Sequence, residues 1–262
     1  MKSATTSLHD HLASSPGTAP ARVKEVHYFD RESFGEGEGW YRSFFGLRIL
    51  KRGRRSFEST PGYVESDMAR RRLATCVPQA KLVVVLRSPA ERARSHYLYN
   101  LRRGVEHRTF RVAVEDEVVR FHSSGSDSVG EGSPESALDD RFRGRGLYAD
   151  RLQALLDLGV RRPVLILFME SLIADPGPSL RLLHEFVEIP PPPPVALPHL
   201  NPRGPVPERL EPDDALVLEE LRDFFLPENQ KLRELIRARP DDLVALPEQT
   251  WPSWVSGEAE RG

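Results

Sequence analysis

The chain has a single cysteine, no long apolar run and almost no net charge. That cysteine, Cys76 in a sequence of 262 residues, excludes an internal disulfide framework and any cysteine-based zinc site. We expect Cys76 to be a small buried hydrophobic residue. No run approaches the ~20 apolar residues that a membrane helix requires, and the MKSATTSLHD start lacks the apolar segment of a signal peptide. We therefore expect a cytoplasmic protein without a membrane span.

The charges nearly balance, with 37 Lys and Arg residues against 39 Asp and Glu residues and a net charge of −2. A chain without a general basic field is not expected to bind nucleic acid. Two arginine-rich stretches, KRGRR at 51–55 and ARRR at 69–72, are interpreted as solvated surfaces, although the same cations could flank an acidic acceptor. The sequence also lacks a cluster of His, Cys, Asp and Glu at metal-ligand spacing, so we expect no metal.

Short apolar runs alternate with helical patterns along the chain. Residues 81–86 (KLVVVL) and 163–168 (PVLILF) are typical of strands that a parallel sheet buries on both faces, and residues 23–29 (VKEVHYF) alternate like a third strand. Helical periodicity covers residues 90–103, 148–158, 179–187 and 213–237. This order predicts a single α/β domain over residues 1–262, with a central parallel sheet flanked by helices.

Two stretches interrupt this alternation. Residues 123–136 (SSGSDSVGEGSPES) have the composition of a flexible loop. Residues 190–207 begin with five prolines, which favour an extended backbone. We interpret this second stretch as a rigid connector to the C-terminal helix and not as a domain boundary.

The segment LRSPAERARSHY, residues 86–97, joins a predicted strand to a predicted helix. Ser88 is expected to cap that helix, and Glu91 completes a Ser-x-x-Glu capping box. In an open parallel sheet this junction lies at the carboxyl edge, where ligands bind. Arg87 would lie there with its bidentate donors, and Ser95 could share an anion with it. A surface ion pair and a solvent-facing serine would leave the same pattern.

The chain begins with a polar stretch, KSATTS, that opens an amphipathic helix with Leu8, His11 and Leu12 on one face. Hydroxyls and backbone N–H groups at a helix N-terminus form an anion site, to which Lys2 would add a positive charge. The stretch is not a Walker A loop, because the G-x-x-x-x-G-K-[ST] pattern is absent. An ordinary capped helix at a frayed terminus would also fit.

Two further segments carry residues able to perform acid–base chemistry. In KEVHYFD, residues 24–30, strand alternation would put Glu25 and His27 on one face, which suits proton transfer but also a solvated strand surface. In ESTPGY, residues 58–63, the Pro-Gly pair predicts a turn that could place Glu58 and Tyr63 at a cleft rim.

The order of the segments KSATTSL, KEVHYFD, STPGY and RSPAERARS resembles the sulfotransferases that use 3′-phosphoadenosine 5′-phosphosulfate (PAPS). The resemblance is closest to the branch of the heparan sulfate glucosaminyl sulfotransferases and their bacterial relatives. It continues through RGLYADRL, LNPRG and PENQKLRELI, and so spans nearly the whole chain. It implies a P-loop-like sulfotransferase fold, PAPS as the sulfuryl donor and 3′,5′-adenosine bisphosphate (PAP) as the product.

Positions that match the family's motifs imply three groups of site residues. The loop that holds the 5′-phosphosulfate corresponds to Lys2, Ser3, Ala4, Thr5, Thr6 and Ser7. The 3′-phosphate pair corresponds to Arg87 and Ser95, and further nucleotide contacts are implied for Tyr148 and Arg203. Glu25 corresponds to the general base, Lys2 and His27 are the other implied catalytic residues, and the acceptor side corresponds to Lys24, His27 and Asp30.

Three departures from the family pattern affect these expectations. The resemblance implies an apolar strand immediately before Lys2, so we expect the first strand of the fold to be missing or truncated. Ala4 replaces a glycine, which would strain the loop if that position needs a positive φ. Ser59 stands where heparan-type enzymes often carry lysine, so a heparan-like polyanion is not implied.

The sequence thus predicts a bacterial sulfotransferase that moves a sulfuryl group from PAPS to a hydroxyl or amine of a carbohydrate, lipid or secondary metabolite. One alternative is a nucleotide-binding protein whose catalysis is impaired by loss of the first strand. Another is a small-molecule kinase, and the missing Walker A loop counts against it.

Overall fold

The computed structural model describes residues 5–46, 53–124, 141–191 and 213–257. Its strands are β1 (Thr18–Pro20), β2 (Arg55–Phe57), β3 (Leu82–Leu86), β4 (Val164–Phe168) and β5 (Leu243–Val244). Its helices are α1 (Thr5–Ser14), α2 (Gly37–Ser43), α3 (Asp67–Cys76), α4 (Pro89–Arg102), α5 (Phe110–Ser124), α6 (Tyr148–Asp157), α7 (Met169–Ala174), α8 (Pro176–Val187), α9 (Asp214–Ala238) and α10 (Ser253–Ser256). Short 3₁₀ turns occupy Glu32–Glu36, Pro61–Val64, Gly144–Gly146 and Glu248–Thr250.

The described strand pairs are all parallel. β4 lies between β3 and β5, and β3 pairs with β4 in register from Leu82 opposite Val164 to Leu86 opposite Phe168. β1 and β2 form a separate parallel pair. The predicted α/β class with parallel strands is confirmed, although the sheet within the described ranges consists of these two parts.

Alternate residues of β3 and β4 pack against different helices, as the two-residue period of a strand requires. One face presents Val83 and Leu165 to a cluster that contains Leu8 of α1 and leucines of α8. The other face presents Val84 and Ile166 to leucines of α6 and to the C-terminal half of α9. Burial of each such side chain contributes about 1.5–3 kcal/mol, so these two layers form the centre of the core.

Helix α1 is fixed to α8 by a pair of buried histidines as well as by this apolar contact. Nε2 of His11 lies 2.8 Å from Nε2 of His184, and Nδ1 of His184 bonds the carbonyl oxygen of Pro190. Burial, and then the neighbouring His184, lower the pKa of His11. The histidine pair holds α1 in one orientation, and that orientation places its N-terminus beside residues 24–30.

Residues 23–29 do not form the predicted strand. Two backbone hydrogen bonds, from Ala21 N to Phe57 O and from Ser59 N to Lys24 O, align this segment with residues 57–63. The regular ladder is interrupted because His27 has a φ of 53°, which a strand cannot contain. Val26, Tyr28 and Phe29 of the segment instead enter an aromatic cluster that also contains the buried Tyr63.

Two local expectations were wrong. Cys76 is the last residue of α3 and is exposed, so it is not the buried hydrophobic residue predicted. Ser88 is the N-cap residue of α4, but its hydroxyl makes no capping bond. Instead, its backbone N–H donates to Glu170 Oε1 at 2.9 Å, and the Glu91 carboxylate turns towards Arg87 and Arg222.

The helices predicted from periodicity are confirmed with ends that shift by one to three residues, as α4, α6, α8 and α9 show. The predicted flexible loop differs at its start, because α5 continues through Ser124, and residues 125–136 lie outside the described ranges. Residues 192–207 of the proline-rich connector also lie outside them. No helix in the described part of the chain combines the length and the apolar character needed to cross a membrane.

Candidate active site

The first candidate element is the N-terminus of α1. The helix begins at Thr5, Thr6 is exposed and Ser7 is buried, so hydroxyls lie at the end where the first turn leaves backbone N–H groups without helical acceptors. Such a terminus is suited to an anion. The remaining predicted loop residues, Lys2, Ser3 and Ala4, lie outside the described ranges.

Lys24 connects this helix end to the acid–base segment. Its Nζ donates to Thr6 Oγ1 at 2.7 Å and lies 3.6 Å from Glu25 Oε1. The ammonium group therefore lies between the predicted phosphosulfate loop and the predicted base. The resemblance assigned Lys24 to the acceptor side alone, and the structure adds a contact with the N-terminus of α1.

His27 lies between two carboxylates. Its Nδ1 is 3.0 and 3.2 Å from the two oxygens of Asp30, and its Nε2 is 3.3 Å from Glu25 Oε2. The hydrogen bond to Asp30 outweighs partial burial and raises the pKa of His27. The imidazolium form is stabilised here, because an acceptor faces each ring nitrogen.

Glu25 is held at both of its oxygens and is still accessible. Lys24 is close to Oε1 and His27 to Oε2, while 31% of the side chain remains exposed. A carboxylate fixed in this way can accept a proton from a bound group without first reorienting. Glu25 lies beside His27 as predicted, but strand alternation is not the reason. The positive φ of His27 brings its ring to the Glu25 carboxylate.

A second group of candidates lies where β3 ends. Arg87 follows Leu86, its side chain is 20% exposed, and Nη2 lies 3.8 Å from Glu91 Oε2. The hydroxyl of Tyr148 donates to the carbonyl oxygen of Arg87 at 3.0 Å. Burial raises the pKa of Tyr148 to about 12, so this hydroxyl remains a donor at neutral pH. Tyr148 thus fixes the backbone that carries Arg87, and Ser95 lies partly buried on α4.

A buried charged cluster accompanies this second group, and the sequence analysis missed it. Arg145 Nε lies 2.7 Å from Glu65 Oε2, and both side chains are largely buried. Burial, and the guanidinium groups of Arg145 and Arg92, lower the pKa of His96 to about 2. No sequence signal separated these residues from surface charges, because helical spacing alone does not reveal which cations a fold encloses.

The structure therefore brings the predicted residues together in two groups. The first contains Thr6, Lys24, Glu25, His27 and Asp30, and the second contains Arg87 and Tyr148. Arg203 lies outside the described ranges.

No protein-family model matches the chain. Two curated proteins are similar to about three quarters of it. The bifunctional heparan sulfate N-deacetylase/N-sulfotransferase 2 of Bos taurus is 27% identical over 195 residues, which are 72% of this chain and 21% of that protein. The corresponding protein 3 of Homo sapiens is 27% identical over 207 residues, which are 76% of this chain and 22% of that protein. The chain thus spans about a fifth of the length of the curated relatives it matches.

A solved structure agrees with these relatives. The crystal structure of a sulfotransferase from Alicyclobacillus acidocaldarius has a TM-score of 0.67 and 25% sequence identity, over 90% of this chain and 92% of that one. The chain is similar to sulfotransferases both in sequence and in fold. Its parallel strands and surrounding helices are a sulfotransferase fold, and the predicted resemblance is confirmed.

Proposed function

We propose that this protein is a sulfotransferase that moves a sulfuryl group from PAPS to a hydroxyl or amine of a carbohydrate, lipid or secondary-metabolite acceptor. One observation carries the proposal: Lys24 bonds Thr6 at the N-terminus of α1 and lies beside Glu25. A donor-binding element and a candidate base are thereby joined by one cation. The curated relatives support the reaction class, since their names include N-sulfotransferase activity.

The hydrogen-bond donors and cations of the two groups suit a nucleotide that carries anionic groups at its 5′ and 3′ positions. Hydroxyls and a lysine meet at the N-terminus of α1, and a guanidinium follows β3. Thr5, Thr6 and Ser7 would hold the 5′ end, Arg87 and Ser95 would hold the 3′-phosphate, and Tyr148 would fix the backbone of Arg87. When bound, PAPS supplies an activated sulfuryl group.

The residues of the 24–30 segment then have separate roles. Glu25 takes the proton from the acceptor hydroxyl or amine, which makes that atom a better nucleophile. Lys24 offers positive charge beside Thr6, where negative charge develops on the donor side. His27 and Asp30 hold the Glu25 carboxylate in place through the imidazolium.

The substitution Glu25→Gln tests this proposal. Loss of a general base lowers kcat by about 10²–10⁴-fold, whereas the affinity for PAP should stay nearly unchanged because Glu25 does not hold the nucleotide. Turnover is measured with radiolabelled PAPS on a panel of hydroxyl and amine acceptors, and affinity by calorimetry. Glu32→Gln, which neutralises an exposed acid in the adjoining turn, is the matched control.

Three outcomes would contradict the proposal. Near-normal turnover of Glu25→Gln would remove Glu25 from the mechanism. Binding of PAP by the wild-type protein without transfer to any acceptor would indicate the nucleotide-binding alternative. Transfer that depends on ATP and magnesium would indicate a kinase.

A further inference from the structure

Side chains, and not a neighbouring strand, satisfy three consecutive backbone N–H groups of the acid–base segment. The N–H of Val26 donates to Glu58 Oε2 at 3.4 Å. The N–H of His27 donates to Thr60 Oγ1 at 3.4 Å, and the N–H of Tyr28 donates to the Tyr63 hydroxyl at 3.0 Å. Residues 58–63 therefore replace the ladder that a strand partner would supply.

Two of these acceptors, Thr60 and Tyr63, bond the third, the Glu58 carboxylate. The Thr60 hydroxyl donates to Glu58 Oε2 at 2.6 Å, and the Tyr63 hydroxyl donates to Glu58 Oε1 at 2.9 Å. The Tyr41 hydroxyl adds a further bond to Oε1 at 3.0 Å. Thr60 and Tyr63 are buried, so a change at Glu58 would leave their hydroxyls without an acceptor inside the protein.

This network lies under the one strained residue of the segment. His27 has a φ of 53°, in the left-handed region that a side chain with a Cβ rarely adopts. Such a conformation persists only where the surroundings fix it. Bonds to the N–H groups of Val26, His27 and Tyr28 fix it on both sides, and the turn at His27 brings its ring to Glu25.

We propose that Glu58 is a positioning residue, which through Thr60 and Tyr63 holds the backbone that sets Glu25 against His27. The proposal rests on the proposed function, in which Glu25 is the base. Glu58 acts on the backbone and on two hydroxyls, and it is not assigned a contact with a reacting group.

A carboxylate at this position can accept from all four of its neighbours without any of them reorienting. Each oxygen of Glu58 receives two donors: Tyr41 and Tyr63 at Oε1, and Thr60 and the Val26 N–H at Oε2. Glutamine has nearly the same shape but presents an NH₂ group in place of one oxygen. Glu58→Gln therefore forces the hydroxyls that face the amide nitrogen to turn from donors into acceptors, and it sets donor against donor at the Val26 N–H when the nitrogen takes the place of Oε2.

The experiment compares Glu58→Gln and Tyr63→Phe with Tyr41→Phe as the matched control. Tyr63→Phe removes the acceptor of the Tyr28 N–H, whereas Tyr41→Phe removes a hydroxyl that bonds Glu58 but no backbone N–H of the segment. The first readout is the pKa of the His27 ring, followed by NMR and assigned from the signal that disappears in His27→Asn. The second is kcat with PAPS, beside the Kd for PAP.

We expect both Glu58→Gln and Tyr63→Phe to lower the His27 pKa towards 6.5, because the ring moves away from its carboxylates. We expect kcat to fall about 10–100-fold, as for a misplaced catalytic group, with little change in the Kd for PAP. Tyr41→Phe should change neither quantity appreciably.

A purely structural role would overturn the proposal. It would lower the melting temperature of Glu58→Gln and Tyr63→Phe while leaving the His27 pKa and kcat at wild-type values. Equal effects of Tyr41→Phe and Tyr63→Phe would also overturn it. Absence of transfer by the wild-type protein would refute the proposed function alone, because the NMR titration needs no activity.

Discussion

Neutralising Asp30 tests the electrostatic arrangement around His27 without removing a hydrogen-bond acceptor. Asparagine has nearly the shape of aspartate, and its amide oxygen can still accept from Nδ1 of His27. The substitution Asp30→Asn therefore removes a negative charge that lies 3.0 Å from the ring and leaves Glu25 in place.

The size of the effect follows from the distance and the exposure. Two unit charges about 4 Å apart interact by about 1 kcal/mol in water and about 4 kcal/mol at the effective permittivity of a protein surface. The His27 side chain is 23% exposed and the Asp30 side chain 11%, so water screens the pair only in part, and a value of about 2 kcal/mol within that range is reasonable. We therefore expect Asp30→Asn to lower the pKa of His27 towards its ordinary value of 6.5.

The contribution of the His27–Asp30 pair to stability depends on pH in a definite direction. Because the folded protein raises the pKa of His27 above 6.5, the imidazolium pair stabilises the fold below that pH. The contribution is lost as the pH rises through the folded pKa. The difference in unfolding free energy between wild type and Asp30→Asn should therefore shrink as the pH rises from about 6 to 8.

NMR of the histidine ring protons measures the pKa directly, and Glu32→Gln serves as a charge-matched control on a neighbouring exposed acid. The control should leave the His27 titration unchanged. A His27 pKa in Asp30→Asn equal to that of the wild type would contradict this expectation, because the charge of Asp30 would then not stabilise the imidazolium.

Two further predictions concern Arg87 of the second group and His96 of the buried charged cluster. Arg87→Ala should weaken PAP binding about 10–100-fold, the value of a charge-assisted contact. It should hardly affect the binding of adenosine 5′-phosphosulfate, which has no 3′-phosphate. Equal losses of affinity for the two nucleotides in calorimetry would mean that Arg87 does not contact the 3′-phosphate. The fold lowers the pKa of His96 to about 2, so the unfolded chain binds this proton more readily. The unfolding free energy should therefore fall by about 1.4 kcal/mol for each pH unit below 6.5. Denaturant unfolding at several pH values gives the unfolding free energy as a function of pH. For His96→Gln this free energy should fall less steeply below pH 6.5, by that amount, and an unchanged pH dependence would contradict the assignment.

The sequence was sufficient for the elements whose apolar pattern is regular. β3 and β4 were predicted to within one residue, because a continuous run of β-branched and leucine residues suits only a strand buried on both faces. The helix from Tyr148 was predicted from its leucine stripe, which packs on that sheet.

The segment 23–29 could not be predicted in the same way. Its pattern suggested a strand, but Tyr28 and Phe29, which are consecutive in sequence, both enter an aromatic cluster next to a left-handed His27. A positive φ at a residue other than glycine depends on contacts that are distant in sequence. Here those contacts are the Glu58, Thr60 and Tyr63 side chains, whose local sequence predicted only a turn.

The candidate site was predicted by motif order and not by local physics. Each motif alone fitted an ordinary structural role as well as a functional one, and Ser88 shows the risk, since its capping box did not form. The contact of Lys24 with Thr6 joins residues 18 positions apart, and no local pattern reveals it. The fold supplies that information by placing the end of α1 against residues 24–30.

Calorimetric titration of the purified protein with PAP, with ATP as the control, measures whether the protein has a site for a 3′-phosphorylated nucleotide. We expect PAP to bind and ATP, which lacks a 3′-phosphate, to bind far more weakly. Absence of PAP binding, or equal binding of the two nucleotides, would contradict the assignment of a donor site for PAPS to the end of α1 and to Arg87.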